Sequence, residues 1–407
     1  RIGITGNSGG GTLSSLTAAY DERFKAVAPS CWPTMGEDYF FIGTSPDSEQ
    51  IWPGIYKDGF DHCELMSLIC PRPLIFLTAA YDFVPIEGSK KLYNECKKIW
   101  DIAGISENVE IIVSPNEHGY SEFQAENAAR FFKKHLGKED ISISKDSIIS
   151  LDDEKLNVCK TGYVKFDLNS EFVFDKNLEI FKNKNRLSLE QRKEILYSKV
   201  MQNRDLDFEI NLRRFGFDEI DGLYGEYLMW FSGALLPNYA VIIKSVENKH
   251  KNIPVTICLW PDGTNNIYEN FTKIKEICTS GRAALILDVT ANGKCKPIPL
   301  HSENGDFKII DKISKSLIQL GDSLPAIQSF DVLQAIRLLR EQLNVVDISI
   351  YSKDEFSVVA RICEMLVDNI SVLCDSEITI KSIISNKMYK YDDTTQILMY
   401  GFGELIE

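Results

Sequence analysis

The sequence predicts an α/β fold built on parallel β-sheets. Short apolar runs alternate with stretches of helical periodicity, first over residues 1–136 and again after residue 239. Parallel strands need a crossover connection, which is usually a helix, so this alternation favours parallel sheets. A glycine-rich turn also joins the first strand directly to a helix. The chain is therefore predicted to contain two α/β modules in succession.

The first predicted strand leads through residues 6–10, Gly-Asn-Ser-Gly-Gly, into a helix. Ile2 and Ile4 alternate with smaller residues, as in a short buried strand. The apolar residues that repeat at helical spacing are Leu13, Leu16, Ala19 and Tyr20. A Gly-x-Ser-x-Gly pattern between strand and helix is a nucleophile elbow, in which small neighbours give room to a strained turn. The pattern predicts that Ser8 is a nucleophile; a serine that only caps the helix is the alternative.

Three further strands are predicted in the first module, with helices between them. The strands cover 25–31, 74–77 and 109–113, and the two long helices cover 86–102 and 122–136. Asp82 comes soon after the strand at 74–77, and His118 lies in the loop after the strand at 109–113. Functional residues of open parallel sheets gather beyond the carboxyl ends of the strands, so both are candidates.

Ser8, Asp82 and His118 follow predicted strands in the chain order nucleophile, acid and base. A serine hydroxyl becomes nucleophilic when an imidazole accepts its proton, and a carboxylate orients the imidazole and stabilises its charged form. We therefore predict that Ser8 attacks, that His118 is general base and then general acid, and that Asp82 orients it. The backbone N–H of Gly9 is predicted to be one oxyanion donor. Taken singly, a loop histidine or a helix-capping aspartate is unremarkable; their joint placement favours catalysis.

These motifs resemble those of the acetylxylan-esterase-like branch of the α/β-hydrolases, which borders the prolyl-oligopeptidase family. The matching segments are residues 6–12, 28–31, 71–73, 82–88 and 117–120. The resemblance implies that residues 1–139 are the carboxyl half of an α/β-hydrolase catalytic domain. It also implies an ester substrate, such as an acetylated plant polysaccharide.

A prolyl-oligopeptidase-like serine peptidase is the alternative enzyme, because the same triad serves esters and peptide bonds. That family commonly carries an aromatic residue beside its nucleophile, whereas Ser8 lies between Asn7 and Gly9. The residues thus favour the esterase.

The composition argues against several classes of partner. Lysine and arginine number 45 against 59 acidic residues, and the net charge of −14 argues against nucleic acid and anionic membranes. No apolar run reaches the length of a membrane span. Ten cysteines are scattered without a Cys-x-x-Cys pair, so we expect buried reduced thiols and neither a metal site nor another cofactor. Oligomeric state and cellular location are not indicated.

Residue 1 is an arginine inside a predicted core strand. In an α/β-hydrolase the nucleophile strand follows several others, one of which leads into the loop that carries the second oxyanion donor. We therefore expect that strands preceding residue 1 complete the domain. Residues 1–407 alone are expected to hydrolyse esters poorly, because one oxyanion donor is worth about a hundredfold to a thousandfold in turnover.

The remainder of the chain is predicted to form an intermediate segment over 140–238 and a second module over 239–407. The intermediate segment combines a charged, serine-rich linker, a strand or hairpin at 158–166 and helical sequence within 177–203. Sliding the chain by 346 residues overlays 1–31 on 347–377 without a gap. Residues 239–407 are therefore predicted to be a second, diverged α/β-hydrolase-like module.

This second module lacks the catalytic signature. Asp354 stands where the first module has Ser8, it is flanked by Lys353 and Glu355, and Ser352 is displaced by two residues. Residues 260–263, Trp-Pro-Asp-Gly, follow a strand where an oxyanion loop would lie, with an ordinary turn as the alternative. We predict a noncatalytic module with a binding role.

Overall fold

The computed structural model describes residues 1–42, 46–137, 151–184, 186–298 and 305–379, and a few positions beyond 381. Two compact units divide the chain. The first contains Arg1–Ser170 and Ile318–Gly321, and the second contains Glu171–Leu317 and Asp322–Glu407. The predicted α/β class is confirmed in both. None of the helices in these ranges has the length and apolar character needed to cross a membrane.

The first unit has a sheet of four parallel strands that neighbour one another in chain order. Its strands are β1 (Ile2–Asn7), β2 (Phe24–Ser30), β3 (Leu74–Tyr81) and β4 (Val109–Glu117). Its helices are α1 (Gly9–Tyr20), α2 (Gly36–Ile42), α3 (His62–Ser67), α4 (Ile86–Ile102), α5 (Glu122–Leu136), α6 (Asp153–Leu156) and α7 (Val164–Leu168). Because the strands are parallel, their carboxyl ends lie along one edge of the sheet.

Strand β3 is the buried centre of this sheet, and a helix covers each of its faces. Its residues from Leu74 to Leu77 are fully buried. Phe76 belongs to one apolar cluster with Trp100 of α4, and Leu77 belongs to another with Phe131 of α5. The continuous apolar run at 74–77 therefore reflects a strand that is covered on both sides.

The second unit has a seven-stranded mixed sheet in the order β11-β10-β8-β9-β7-β6-β5. Its strands are β5 (Arg213–Ile220), β6 (Leu223–Gly233), β7 (Leu236–Ser245), β8 (Val255–Leu259), β9 (Ala283–Asp288), β10 (Ile348–Lys353) and β11 (Ser371–Asp375). The helices from residue 171 onward are α8 (Val173–Asn183), α9 (Leu189–Met201), α10 (Phe271–Thr279), α11 (Gly305–Gln319), α12 (Leu324–Glu341) and α13 (Phe356–Leu366).

The prediction of a second purely parallel sheet is wrong for the strands before β8. Strands β11, β10, β8 and β9 pair in parallel, but β7 pairs antiparallel with β9, and β5, β6 and β7 form antiparallel hairpins. Asp221 and Gly222 join β5 to β6 with φ angles of 53° and 76°. An Asp-Gly pair with two positive φ angles closes a tight hairpin, so direct antiparallel pairing follows from this turn.

The residues between the two predicted modules are organised differently from the prediction. The strand or hairpin expected at 158–166 is absent, and the short helix α7 starts at Val164 instead. Strands β5 and β6 belong to the same sheet as β7, so residues 213–233 are part of the second unit. This unit starts at Glu171 and not at residue 239.

The internal repeat has a structural counterpart. Shifted by 346 residues, β1, α1 and β2 fall on β10, α13 and β11, and the strands β1 and β10 coincide end to end. Ser8 has a φ angle of 55° and Asp354 one of 52°. The strand, strained turn and helix are therefore shared by the two units.

Candidate active site

Ser8 occupies a strained turn directly between β1 and α1. Its φ and ψ angles are 55° and −119°, and its backbone N–H donates to the Ser30 carbonyl at 2.9 Å. A positive φ is unusual for a residue with a side chain and is a form of strain that clusters at functional sites. The strand-to-helix elbow that the sequence predicts is thus present around Ser8.

Glycine is required in this elbow because the backbone approaches itself closely. A Cβ on Gly6 would lie 2.4 Å from the Gly10 carbonyl oxygen, and one on Gly11 would lie 2.7 Å from the Ser30 carbonyl oxygen. By contrast, a Cβ on Gly10 would meet nothing within 4 Å. The glycines at 6 and 11 therefore have a steric role.

These clearances predict opposite effects of two alanine substitutions. Gly6→Ala is expected to lower the free energy of unfolding by about 1–3 kcal/mol, because a backbone atom must move. Gly10→Ala is the matched control within α1 and is expected to gain up to about 1 kcal/mol from helix propensity. Urea unfolding of the two variants measures both. Equal stability of the two would show that the turn relaxes without cost.

The Ser8 side chain does not cap helix α1, which was the alternative to a nucleophile. Ser8 is at the N-cap position of α1, but its side chain makes no capping hydrogen bond. The caps of α5 and α9, Ser121 and Ser188, do accept such bonds from Gln124 and Gln191. The Ser8 hydroxyl is therefore available for another partner.

Asp82 and His118 form a hydrogen-bonded pair at the same edge of the sheet. Asp82 follows β3 directly, and its Oδ1 lies 2.8 Å from Nδ1 of His118. The same Oδ1 accepts from the Val84 backbone N–H at 3.0 Å, and the Asp82 side chain is fully buried. A carboxylate fixed in this way holds the imidazole with Nε2 free to act on a substrate or a nucleophile.

Two further contacts position the His118 loop. The Phe83 ring packs against the imidazole with centroids 4.6 Å apart. Tyr120 Oη lies 2.8 Å from Thr5 Oγ1, which joins this loop to β1. The His118 side chain is 26% exposed, so the ring is supported but accessible.

The structure therefore joins two of the three predicted triad members directly. Ser8, Asp82 and His118 follow β1, β3 and β4 at the carboxyl edge of one parallel sheet. Within the described residues, no hydrogen bond joins the Ser8 hydroxyl to His118. Catalytic hydrogen bonds are often long or misaligned without substrate, so this geometry is compatible with a triad.

Glu49 lies beside the predicted oxyanion donor, and the sequence alone did not indicate it. A Cβ on Gly9 would lie 2.6 Å from Oε1 of Glu49. The carboxylate thus fills the space that a side chain at residue 9 would take. The sequence carries no signal for this contact, since Glu49 belongs to a short 3₁₀ turn, Ser48–Gln50, in the long connection between β2 and β3.

Cys31 is a second neighbour that sequence reasoning left without a role. It follows β2 at the same edge, has a φ angle of 48° and is 2% exposed. Its Sγ accepts from Nε2 of Gln124 at 3.2 Å and donates to the Gly119 carbonyl at 3.5 Å. Burial raises the pKa of this thiol. Its place just after a parallel strand was the available signal.

The other histidines of the first unit, His62 and His135, pack against core residues. His62 is buried, its Nδ1 lies 2.6 Å from the Thr34 carbonyl oxygen, and burial lowers its pKa. His135 packs against Phe131 with centroids 4.7 Å apart. Neither is hydrogen bonded to Asp82, so His118 is the base candidate among these residues.

Among the described residues, the equivalent elbow of the second unit has no serine at the nucleophile position. Asp354 replaces the serine at the elbow, and Ser352 is fully buried with its Oγ 3.2 Å from Sγ of Cys374. The Trp260 indole N–H donates to the Gly263 carbonyl at 2.8 Å, as in an ordinary turn. A displaced active site at Ser352 is not supported.

The second unit also contains a cavity of about 720 Å³. It lies against strands β5, β6 and β7 and the start of α10. Its aromatic lining residues are Phe215, Tyr227, Tyr239, Tyr268 and Phe271. Polar groups are present as well, including Asp218 and Lys294. A mostly apolar concavity with a few polar groups is the usual form of a small-molecule site.

Comparison with known proteins extends the resemblance. No family model matches the chain. The chain is 30% identical over 141 residues to "Putative hydrolase YtaP" of Bacillus subtilis (strain 168). The aligned region covers 33% of this chain and 46% of that protein. It thus spans about half the length of this relative. The resemblance to hydrolases is confirmed by this similarity.

Solved structures with similarity to the chain include two acetyl xylan esterases. One, a "putative acetyl xylan esterase" from Bacteroides fragilis NCTC 9343, has a TM-score of 0.40 and 13% identity over 50% of this chain and 60% of its own. The other is Acetyl Xylan Esterase 1 from Thermoanaerobacterium sp. JW/SL YS485, with a TM-score of 0.32 and 11% identity over 57% and 77%.

Proposed function

We propose that this protein is a serine carboxyl-ester hydrolase that works through an acyl-enzyme intermediate. The observation that carries the proposal is the 2.8 Å contact between buried Asp82 and His118, at the sheet edge where strained Ser8 emerges. A buried carboxylate, an accessible imidazole and an uncapped elbow serine are the parts that acyl transfer needs.

In the proposed reaction, Ser8 Oγ attacks the ester carbonyl while His118 accepts the hydroxyl proton. The negative charge that develops on the carbonyl oxygen is stabilised by the Gly9 backbone N–H at the start of α1. Collapse of the tetrahedral intermediate breaks the ester bond, and His118 returns the proton to the leaving alcohol. Water then attacks the acyl-enzyme by the same route and releases the carboxylic acid and Ser8.

For the substrate we propose an acetylated carbohydrate. The resemblance of the motifs around Ser8, Asp82 and His118 to acetylxylan-esterase-like enzymes supports this class. The small flanking residues of Ser8 support an esterase over a prolyl-oligopeptidase-like peptidase, since Asn7 and Gly9 supply no aromatic wall.

A substrate panel tests this proposal on the full-length protein. We expect hydrolysis of p-nitrophenyl acetate and release of acetate from acetylated xylan, and no cleavage of a prolyl p-nitroanilide peptide. Chemically deacetylated xylan is the matched control for the polysaccharide. Cleavage of the peptide without release of acetate would replace the esterase with the peptidase.

We propose a noncatalytic binding role for the second unit, supported by its cavity and by Asp354 at the elbow. Asp354→Asn keeps the size of the side chain and is expected to leave turnover of p-nitrophenyl acetate within about twofold of the unmodified protein, because it leaves Ser8, Asp82 and His118 unchanged. A large loss of turnover in a variant that melts normally would assign chemistry to this unit.

A further inference from the structure

Three side chains with metal-binding atoms converge at the candidate active site. A thiol sulfur of Cys31, a carboxylate oxygen of Asp82 and a ring nitrogen of His118 all lie within 4.8 Å of one another. They come from the ends of three neighbouring strands, β2, β3 and β4. The esterase mechanism uses two of them and leaves Cys31 without a task.

One atom of this cluster lacks a partner although it is buried. Asp82 Oδ1 accepts a hydrogen bond from the Val84 backbone N–H and is hydrogen bonded to Nδ1 of His118. Its Oδ2 has no hydrogen-bond partner among the residues that the structure describes. The side chain is fully buried. An unsatisfied buried carboxylate oxygen is costly, and a bound ion is one of the few ways in which proteins satisfy such an atom.

A small tetrahedral ion requires the three atoms to approach one another. Zn²⁺ binds sulfur at about 2.3 Å and nitrogen or oxygen at about 2.1 Å, so the ligand atoms of a tetrahedral site lie about 3.4–3.6 Å apart. The three atoms lie within 4.8 Å of one another, so the widest pair approaches by at most about 1.2 Å when the ion binds. A mixed sulfur, nitrogen and oxygen set favours Zn²⁺ over Mg²⁺ and Ca²⁺, which prefer oxygen ligands.

The surroundings of Cys31 keep its sulfur in place. Gln124 and the Gly119 carbonyl contact Sγ from two sides, and the left-handed backbone at residue 31 fixes its direction. His118 is partly exposed, which gives an ion a path into the cluster. Cys31 is therefore held in place, and the cluster is accessible from solvent.

We propose that Cys31, Asp82 and His118 form a binding site for Zn²⁺ and that Zn²⁺ binding and ester hydrolysis exclude each other. On binding, the Cys31 thiol releases its proton to solvent and the thiolate coordinates the ion without any change of oxidation state. Asp82 and His118 are then ligands of the ion and are withdrawn from the relay to Ser8. The inhibition, but not the binding, rests on the proposed function.

Zinc affinity is measured first, in full-length Ser8→Ala protein, so that no turnover is required. Competition with a chromophoric zinc chelator gives the dissociation constant. We expect Cys31→Ser to weaken binding at least about tenfold, as changes around metal ligands commonly do. Cys159→Ser, which changes a partly buried cysteine outside the cluster, is the control. Equal affinity of Cys31→Ser and the control would overturn the site.

A spectrum of the cobalt-loaded protein tests the site without relying on one variant. Co²⁺ is expected to give a thiolate-to-cobalt charge-transfer band that Cys31→Ala lacks and Cys159→Ser retains. Absence of the band in protein with Cys31 intact would overturn the proposal even if the Cys31 variants fail to fold, which thermal melting reports.

The inhibition is tested separately, by the rate of p-nitrophenyl acetate hydrolysis with increasing Zn²⁺ and after addition of EDTA. Each protein is compared with its own metal-free rate. We expect reversible inhibition with at least about a tenfold higher half-inhibitory concentration in Cys31→Ser than in Cys159→Ser. Zinc binding through Cys31 in a protein that hydrolyses no ester would contradict the esterase and leave the metal site standing.

Discussion

Replacing Ser8 by alanine is expected to abolish covalent labelling by a fluorophosphonate and to lower ester turnover by at least about a thousandfold. The elbow presents a hydroxyl that makes no capping bond, at the edge where Asp82 and His118 pair. Because triad members act as a unit, loss of the nucleophile removes almost all of their contribution. Labelling and p-nitrophenyl acetate hydrolysis, both on the full-length protein, measure the effect.

Ser14→Ala is the matched control for this substitution. Ser14 lies in α1, but the residue is buried and its hydroxyl donates to the Gly10 carbonyl at 2.6 Å. This variant should keep its labelling, and both variants should melt cooperatively. Labelling of Ser8→Ala at the rate of the unmodified protein would assign the nucleophile to another residue.

Local signals predicted the elements that place the candidate site. Helix α4 spans Ile86–Ile102 and α5 spans Glu122–Leu136, as the apolar periodicity of each indicated. Residues within a few positions of each other determine where such helices begin. At the start of α5, for example, Ser121 and Gln124 cap each other's backbone N–H groups. The order of Ser8, Asp82 and His118 after the first, third and fourth strands could be predicted for the same reason.

Strand pairing was less predictable because it depends on residues far apart in the chain. The strands of the second unit were found in the sequence from β7 onward, yet periodicity does not report the direction in which β7 meets β9. Asp221-Gly222 was a local signal for the β5–β6 hairpin that the sequence-based prediction left unused, because it assigned no element to residues 204–238.

The second elbow shows how a strained turn persists without glycine. In the first unit α1 begins one residue after Ser8, and a Cβ on Gly6 would contact the Gly10 carbonyl oxygen. In the second unit α13 begins at Phe356, two residues after Asp354. The positions equivalent to Gly6 and Gly10 are occupied by Ser352 and Phe356, and φ at Asp354 is nevertheless 52°.

The contacts around the Asp82–His118 pair could not be predicted from the sequence. Cys31, Glu49 and Tyr120 approach the site from separate loops, and only the assembled sheet brings those loops together. Cys31 follows a strand and, like Tyr120, lies in a segment that carries the family resemblance, but neither segment indicates a contact with the pair, and Glu49 has no sequence signal at all.

Asp82→Asn is expected to lower turnover by about ten-thousandfold while the protein folds normally. The amide has the size of the carboxylate, and its oxygen can keep the Val84 N–H bond that holds the loop. It carries no charge to stabilise the imidazolium, and it favours the imidazole tautomer that cannot accept the Ser8 proton. The turnover of p-nitrophenyl acetate and the rate of fluorophosphonate labelling should fall together, because both need the same proton transfer.

Asp58→Asn, at an exposed position in the same unit, controls for the loss of one negative charge. It should hydrolyse p-nitrophenyl acetate at the rate of the unmodified protein. If Asp82→Asn instead retained more than about a tenth of that rate, the carboxylate would be holding the loop and not the proton, and the 2.8 Å contact with His118 would be structural. The two readings separate because only a catalytic carboxylate affects the labelling rate in a protein whose melting temperature is unchanged.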